Sequence, residues 1–373
     1  MINIYQPSLG KEELSAIEEV FESNWLGKGK KTEKFTQMIS KKLNVDRNNV
    51  ETVSSCTEGL FQIVNSLPLS PNDEIIIPSI HFIGALNAIK SNGYKPVFCD
   101  VDERTLNVSV NDIEEKITDR TGAIVILHYG GNPCDMDGIL NLCKKHDLIL
   151  IEDNANSPFS KYKGKNTGTI GDLGVWSFDS MKQLVMGDGG LVYMKDKSLL
   201  QKFIYNTYLG LKSKSGFTNT IDAKWWEFDI DNPARRSIIN DIQAAMGIEQ
   251  LKKIDKFIKK RKQIHNFYNE QLSELDWLKV PLDIKKDCES SYYMYHVQID
   301  NNRDGFAKYL KDNGIYTTFR YYPLHLVPFY LDKNVKLPKT EYVANHTICI
   351  PLHQSLTDLN LEKIVRIIKK WKI

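Results

Sequence analysis

Four short runs of uninterrupted apolar character recur between Asp73 and Asp153: DEIIIPSI (73–80), KPVFCDVD (95–102), GAIVILHY (122–129) and DLILIED (147–153). Each has the length of a strand. Each is apolar at consecutive rather than alternate positions, the pattern of a strand covered on both faces. Between them lie stretches with helical spacing, FIGALNAIKSNG (82–93), VNDIEEKI (110–117) and DMDGILNLCKKH (135–146). Strand, helix, strand at this spacing predicts an α/β fold with a mostly parallel sheet. GDLGVWSFD (171–179) and GGLVYMKD (189–196) predict two further strands around a glycine turn, paired more like a hairpin. Ahead of the sheet, Leu14, Ile17, Val20 and Phe21 share one helical face. A second helix over 32–43 follows the turn WLGKGK.

The pattern changes after about Asn240. NDIQAAMGIEQLKKIDKFIKKRKQIHNFYNEQL reads as one long helix with an apolar stripe through Met246, Leu251, Ile254, Phe257, Ile258 and Ile264. A strand near 292–299, a helix in RDGFAKYLKDNG and a final helix in TDLNLEKIVRIIKKWKI complete a smaller α+β unit. The expected division is a large unit over 10–240 and a small one over 241–373, with residues 1–9 packing against the latter. The chain's 373 residues suit two units of ordinary size.

The charge balance narrows the partners. Lys and Arg total 49 against 47 Asp and Glu, a net +2, which supplies no long-range pull toward nucleic acid or an anionic membrane. The basic run KKIDKFIKKRK reads as a solvated helix face. Six scattered cysteines form no CxxC pair and no zinc spacing, so neither disulfides nor a metal site is expected, and the compartment is expected to be reducing. The start MINIYQPSLGKEELSAIEE has no leader pattern, and no apolar stretch reaches the roughly 20 residues of a membrane helix. The expected location is the cytoplasm.

In open α/β sheets ligands bind beyond the carboxyl ends of the strands, and four places there carry chemistry. Asp153 closes the apolar strand ILIED, where it serves either as a helix N-cap or as the partner of a buried cation. Lys182 follows the strand GVWSF and precedes Leu184, Val185 and the GDGG turn. A lysine in apolar surroundings has a lowered pKa and can form a Schiff base with a carbonyl. SSCTEGL (54–60) opens a helix with small hydroxyl residues, which is either simple capping or a phosphate cup to which Ser177 adds a hydroxyl. Phe82 is either a core aromatic or a flat face for a planar ring. One cofactor uses all four: pyridoxal phosphate needs a lysine, a carboxylate at its ring nitrogen, a stacking face and a phosphate cup.

On these residues, and on WLGKGKKTEKF, PSIHFIGALNAI, PVFCDVDERTLNV, GGNPCDMDGI, YKGKNTGTIGDLGVWSF, NDIQAAMG and YYPLHLVPFY, the chain resembles the DegT/DnrJ/StrS family of sugar aminotransferases over nearly its whole length. The resemblance implies the aspartate-aminotransferase-like (type I) pyridoxal phosphate fold. It makes Lys182 the covalent and proton-moving lysine, Asp153 the partner of the ring nitrogen and Phe82 the stacking face. Backbone amides of Thr57 and Glu58, with the Ser177 hydroxyl, would hold the phosphate. Asn156 stands where the family usually has Gln. An Asn that the family carries before DIQAA is absent from ARRSIINDIQAA, and Arg235 or Arg236 is expected in its place, with Arg236 preferred. Arg320, Tyr322 and His325 would face substrate, covered by Trp25 and Leu26, and Trp225 and Trp226 are either a sugar-stacking surface or packing, with packing preferred.

The implied reaction moves an amino group from an amino acid, L-glutamate in most relatives, to a keto-sugar, most simply a nucleotide-linked one. The implied assembly is a homodimer with shared sites. A sugar dehydratase of the same fold and a regulator without catalysis remain as alternatives. The retained Lys182 favours transamination.

Overall fold

The computed structural model describes residues 1–212, 228–331 and 333–372. Its centre is a seven-stranded sheet of β1 (Val50–Val53), β2 (Glu74–Pro78), β3 (Lys95–Cys99), β4 (Thr121–Leu127), β5 (Ile149–Asp153), β6 (Leu173–Ser177) and β7 (Gly190–Met194). The strand order is β1-β7-β6-β5-β4-β2-β3. Five of these, β6 through β3, pair in parallel, while β7 runs antiparallel to both β6 and β1. The two strands expected as a hairpin do pair, but their connection of twelve residues contains Lys182 and is no tight turn. Parallel strands end on the same side, so the sequences that follow β1, β2, β4, β5 and β6 converge on one edge. That convergence builds the site.

The connection from β5 to β6 is locked by a buried carboxylate. Glu152 accepts hydrogen bonds from the amides of Gly168 (2.8 Å), Ile170 (2.8 Å) and Gly171, and faces His128 Nε2 at 3.0 Å. Gly168 has φ +84, and a Cβ on Gly174 would lie 1.9 Å from the Gly168 carbonyl oxygen, so backbone approaches backbone there without side chains. This contact sets β6, and with it Lys182, against β5.

Helices α1 (Lys11–Glu22) and α2 (Lys30–Leu43) precede the sheet, and α3 (Cys56–Ser66), α4 (Ile83–Ser91), α5 (Val110–Lys116), α6 (Met136–His146) and α7 (Lys197–Thr207) connect and flank its strands. Helix α8 (Asp241–Leu272) starts at a capping box formed by Asn240 and Gln243. Its first half buries Ala244, Ile248, Leu251, Ile254 and Phe257 with Phe35 of α2 and Trp176 of β6. Its second half places Ile264, Tyr268 and Leu272 in a separate core. That core lies under a three-stranded sheet of β8 (Leu278–Lys279), β9 (Tyr295–Ile299) and β10 (Thr347–Ile350), with helices α9 (Arg303–Asp312), α10 (Pro338–His346) and α11 (Asp358–Lys369). The start of the chain joins this unit, since Ile2 donates to the Gly314 carbonyl and accepts from the Tyr316 amide.

Where α8 passes between the two cores it carries Arg261, which is wholly buried. The guanidinium donates to the carbonyls of Tyr292 (3.3 Å), Tyr293 (3.2 Å) and Leu352 (3.0 Å), and to Gln354 Oε1 (3.0 Å). Burial pulls its pKa down to about 10, so the charge persists at neutral pH, solvated by carbonyl dipoles. Its contacts hold the Tyr292–Tyr293 segment in place beneath the site.

Two histidines near this junction lend the fold an acid sensitivity. Burial lowers His265, ringed by Tyr292 and Tyr295, and His296, beside Tyr129, to about 4. An unfolded histidine titrates near 6.5, so the unfolded chain takes up protons that the folded one refuses as pH falls from about 6.5 to 4. Stability is full above that window and drops by about 1.4 kcal/mol per pH unit per histidine within it. Urea midpoints should therefore decline as pH falls below 6.5. His265→Phe should flatten the decline, and an unchanged slope in that variant would contradict the assignment.

Candidate functional site

Lys182 sits on the loop after β6 and is 9% exposed. Its Nζ lies 3.5 Å from the Tyr293 hydroxyl and 4.9 Å above the centre of that ring. Burial pulls the ammonium down, but Tyr293, Tyr321, Cys56 and Asp153 outweigh it and hold the pKa above the ordinary lysine value. The expectation of a lowered pKa is thus corrected. The surroundings are not apolar, because two tyrosine hydroxyls and a carboxylate stabilise the charge.

Asp153 ends β5 almost fully buried, with Oδ1 accepting from the Ala155 amide at 2.8 Å. Its Oδ2 lies 3.7 Å from Nε2 of the buried His81. Asn156, three residues on, takes a hydrogen bond from the Tyr321 hydroxyl on Oδ1 at 3.4 Å, while its Nδ2 has no partner. A buried amide donor left open in this way is costly unless a ligand atom meets it.

Phe82 caps α4 and is 44% exposed, so it is no core aromatic. Its ring centre lies 5.8 Å from that of Tyr321. A Cβ on Gly84 would come within 3.1 Å of the Phe82 ring and 3.2 Å of Thr57 Oγ1, which places the ring face beside the first turn of α3. At that turn the amides of Cys56 and Thr57 have no intrahelical acceptor. The Glu58 amide, expected on a phosphate, is instead engaged by Ser55 Oγ at 3.1 Å. Ser177 Oγ accepts from the Asp179 amide at 3.4 Å. Ser177 pairs with Gly190, whose Cβ would lie 2.8 Å from the Cys56 nitrogen, so the hydroxyl stands by the same helix end. An anion fits there, and a planar ring fits between Phe82, Asp153, Asn156 and Lys182. The residues present match pyridoxal phosphate.

The remaining expected residues divide. Arg320 lies 4.6 Å over the Tyr5 ring and touches Met181 Sδ at 3.4 Å. Burial lowers its pKa, but Tyr293, Tyr5 and Tyr321 outweigh this and raise it further. Tyr5 stacks on Tyr293 at 5.2 Å, so Arg320 joins the Lys182 cluster through two rings. Tyr322 is 60% exposed, and its neighbour Tyr321 stands in the cluster beside Lys182. His325 is not open to a cleft: it is fully buried, with Nδ1 at 2.7 Å from Ser79 Oγ, and it braces the end of β2. Arg235 pairs with Glu58 at 3.3 Å, and Arg236, exposed, lies 5.4 Å over Tyr208. Trp25 and Leu26 are half exposed on a loop that Asp241 ties to α8 through Gly29, Lys31 and Thr32. Trp225 and Trp226 lie outside the described residues.

Tyr293, Tyr321, Tyr5 and His81 were missed by sequence reasoning. His81 had a readable signal, a histidine one residue before Phe82 at the same sheet edge as Asp153. The three tyrosines sit in runs where no pattern tells the inward ring from its neighbours.

Residues 7–369 match the DegT/DnrJ/EryC1/StrS aminotransferase family. The chain is 42% identical over 366 residues to a dTDP-4-dehydro-2,3,6-trideoxy-D-glucose 4-aminotransferase of Saccharopolyspora spinosa, covering 98% of this chain and 95% of that one. It is 34% identical to a GDP-perosamine synthase of Escherichia coli O157:H7, covering 96% and 94%. Among solved structures, the aminotransferase TlmJ from Streptoalloteichus hindustanus superposes with a TM-score of 0.94 at 44% identity, covering 99% of this chain and 98% of that one.

Proposed function

The chain belongs to the DegT/DnrJ/EryC1/StrS aminotransferase family, and from that premise we propose that it transfers an amino group from an amino acid, L-glutamate, to a nucleotide-linked keto-deoxysugar, using pyridoxal phosphate. The observation that carries the reading is the buried Lys182 amine, held by Tyr293 on the same sheet edge as Asp153 and the open face of Phe82. The relatives named for dTDP- and GDP-linked sugars support the nucleotide-linked acceptor.

When bound, the cofactor exchanges its carbonyl for an amine and stores the electron pair released at a substrate carbon. The chain does the rest. Lys182 Nζ holds the cofactor and moves the proton between it and the substrate carbon. Asp153 would keep the ring nitrogen protonated, Phe82 would support the ring face, and Asn156 Nδ2, which has no partner, would be free to donate to the cofactor. The Cys56 and Thr57 amides, with Ser177, hold the phosphate at the positive end of α3. Arg320, beside Tyr5, receives an anionic group of a substrate. The enzyme works in the cytoplasm as a C2 homodimer, in which Arg236 reaches toward the partner's site. Among the described residues no helix is long and apolar enough to cross a membrane.

Incubation with L-glutamate and a panel of dTDP- and GDP-linked keto-deoxysugars tests the reading. It requires one 2-oxoglutarate per amino sugar formed. Loss of water from the sugar without oxo-acid release would instead mark a dehydratase.

A further inference from the structure

His81 follows β2 with its side chain fully buried. Two acceptors flank the ring: the Phe82 carbonyl lies 3.2 Å from Nδ1, and Asp153 Oδ2 lies 3.7 Å from Nε2, which has no hydrogen-bond partner. Burial pushes the imidazole below its ordinary pKa, with Asp153 opposing, so the ring is neutral and has one N–H for the two acceptors. A carboxylate is the stronger acceptor. The other charged or titratable groups around Asp153 are Lys182, Tyr321 and Cys56, each on a different element.

We propose that His81 is a positioning residue for Asp153: its proton sits on Nε2, a small ring rotation closes the gap to Oδ2, and both carboxylate oxygens are then anchored. Ala155 holds Oδ1 at 2.8 Å, and His81 holds Oδ2. The carboxylate plane is thereby fixed toward the ring nitrogen of the cofactor, while each oxygen keeps a second lone pair to meet it. This inference rests on the pyridoxal phosphate reading above.

The first test needs no cofactor. In protein labelled with 15N at its eight histidines, long-range 1H–15N correlations report each ring's tautomer. The expected result is Nε2–H for His81, moving to Nδ1–H in Asp153→Asn. Nδ1–H in both proteins overturns the proposal. The second test compares cofactor affinity and the pH midpoint of the bound cofactor's absorbance. His81→Leu should bind pyridoxal phosphate about tenfold more weakly and shift the midpoint, while His81→Gln, which retains an N–H donor of similar reach, should stay within about threefold. Wild-type affinity and midpoint in a folded His81→Leu overturn the proposal alone. A wild-type protein that binds no pyridoxal phosphate overturns the cofactor reading and this role with it. Should His81→Leu fail to fold, the tautomer comparison still decides.

Discussion

Lys182→Ala is expected to lower turnover by at least about ten-thousandfold while leaving the fold intact. The size of the effect follows from the number of duties placed on one nitrogen. Lys182 Nζ is the buried amine of the cluster, so the variant loses both the attachment of the cofactor and the group that moves the proton. Roles united in one residue are lost together, and the loss is not a sum of small terms. The fold should survive because truncation at this loop position leaves Tyr293 stacked on Tyr5. Single-turnover assays at saturating cofactor measure the loss, and a thermal melt close to wild type separates it from unfolding. Activity within tenfold of wild type would remove Lys182 from the chemistry.

Asp153→Asn should lower turnover by about a thousandfold, equivalent to about 4 kcal/mol of transition-state stabilisation. The substitution keeps the shape and an oxygen for the Ala155 amide but removes the negative charge that retains a proton on the ring nitrogen. A neutral ring stores the electron pair poorly, so the loss falls on the proton-transfer step rather than on substrate binding. kcat should therefore fall with KM little changed. A fall expressed only as a raised KM would place Asp153 in binding and contradict the assignment.

The legible parts of this protein are those whose burial leaves a mark along the chain. β2, β4 and β5 stand out because strands covered on both faces are apolar at consecutive positions, and Lys182, Asp153, Phe82 and Thr57 stand out because they follow or end such strands. Helix α8 was marked by its apolar stripe. β10 was not: TICI lies inside ANHTICIPLH, too short a run to separate from a loop, and α7 passed unremarked beside the stronger signal of β7. Within the site, residues delivered by the second unit were the hard ones. Arg261, 32 positions earlier, grips the carbonyl of Tyr293, and no local pattern encodes such a contact. Tyr321 was missed for the same reason, since backbone direction in an irregular segment is set by what it packs against. His325 looked like a cleft residue by chemistry, yet Ser79 takes its ring into the interior.

The central claim is that one amine, at position 182, carries the cofactor. Reduction of the cofactor-loaded enzyme with sodium borohydride, followed by peptide mass mapping, tests it directly. The account predicts a single pyridoxyl group per chain, on the peptide that contains Lys182. A pyridoxyl group on any other lysine, or none on a protein that folds and was saturated with the vitamer, would contradict it.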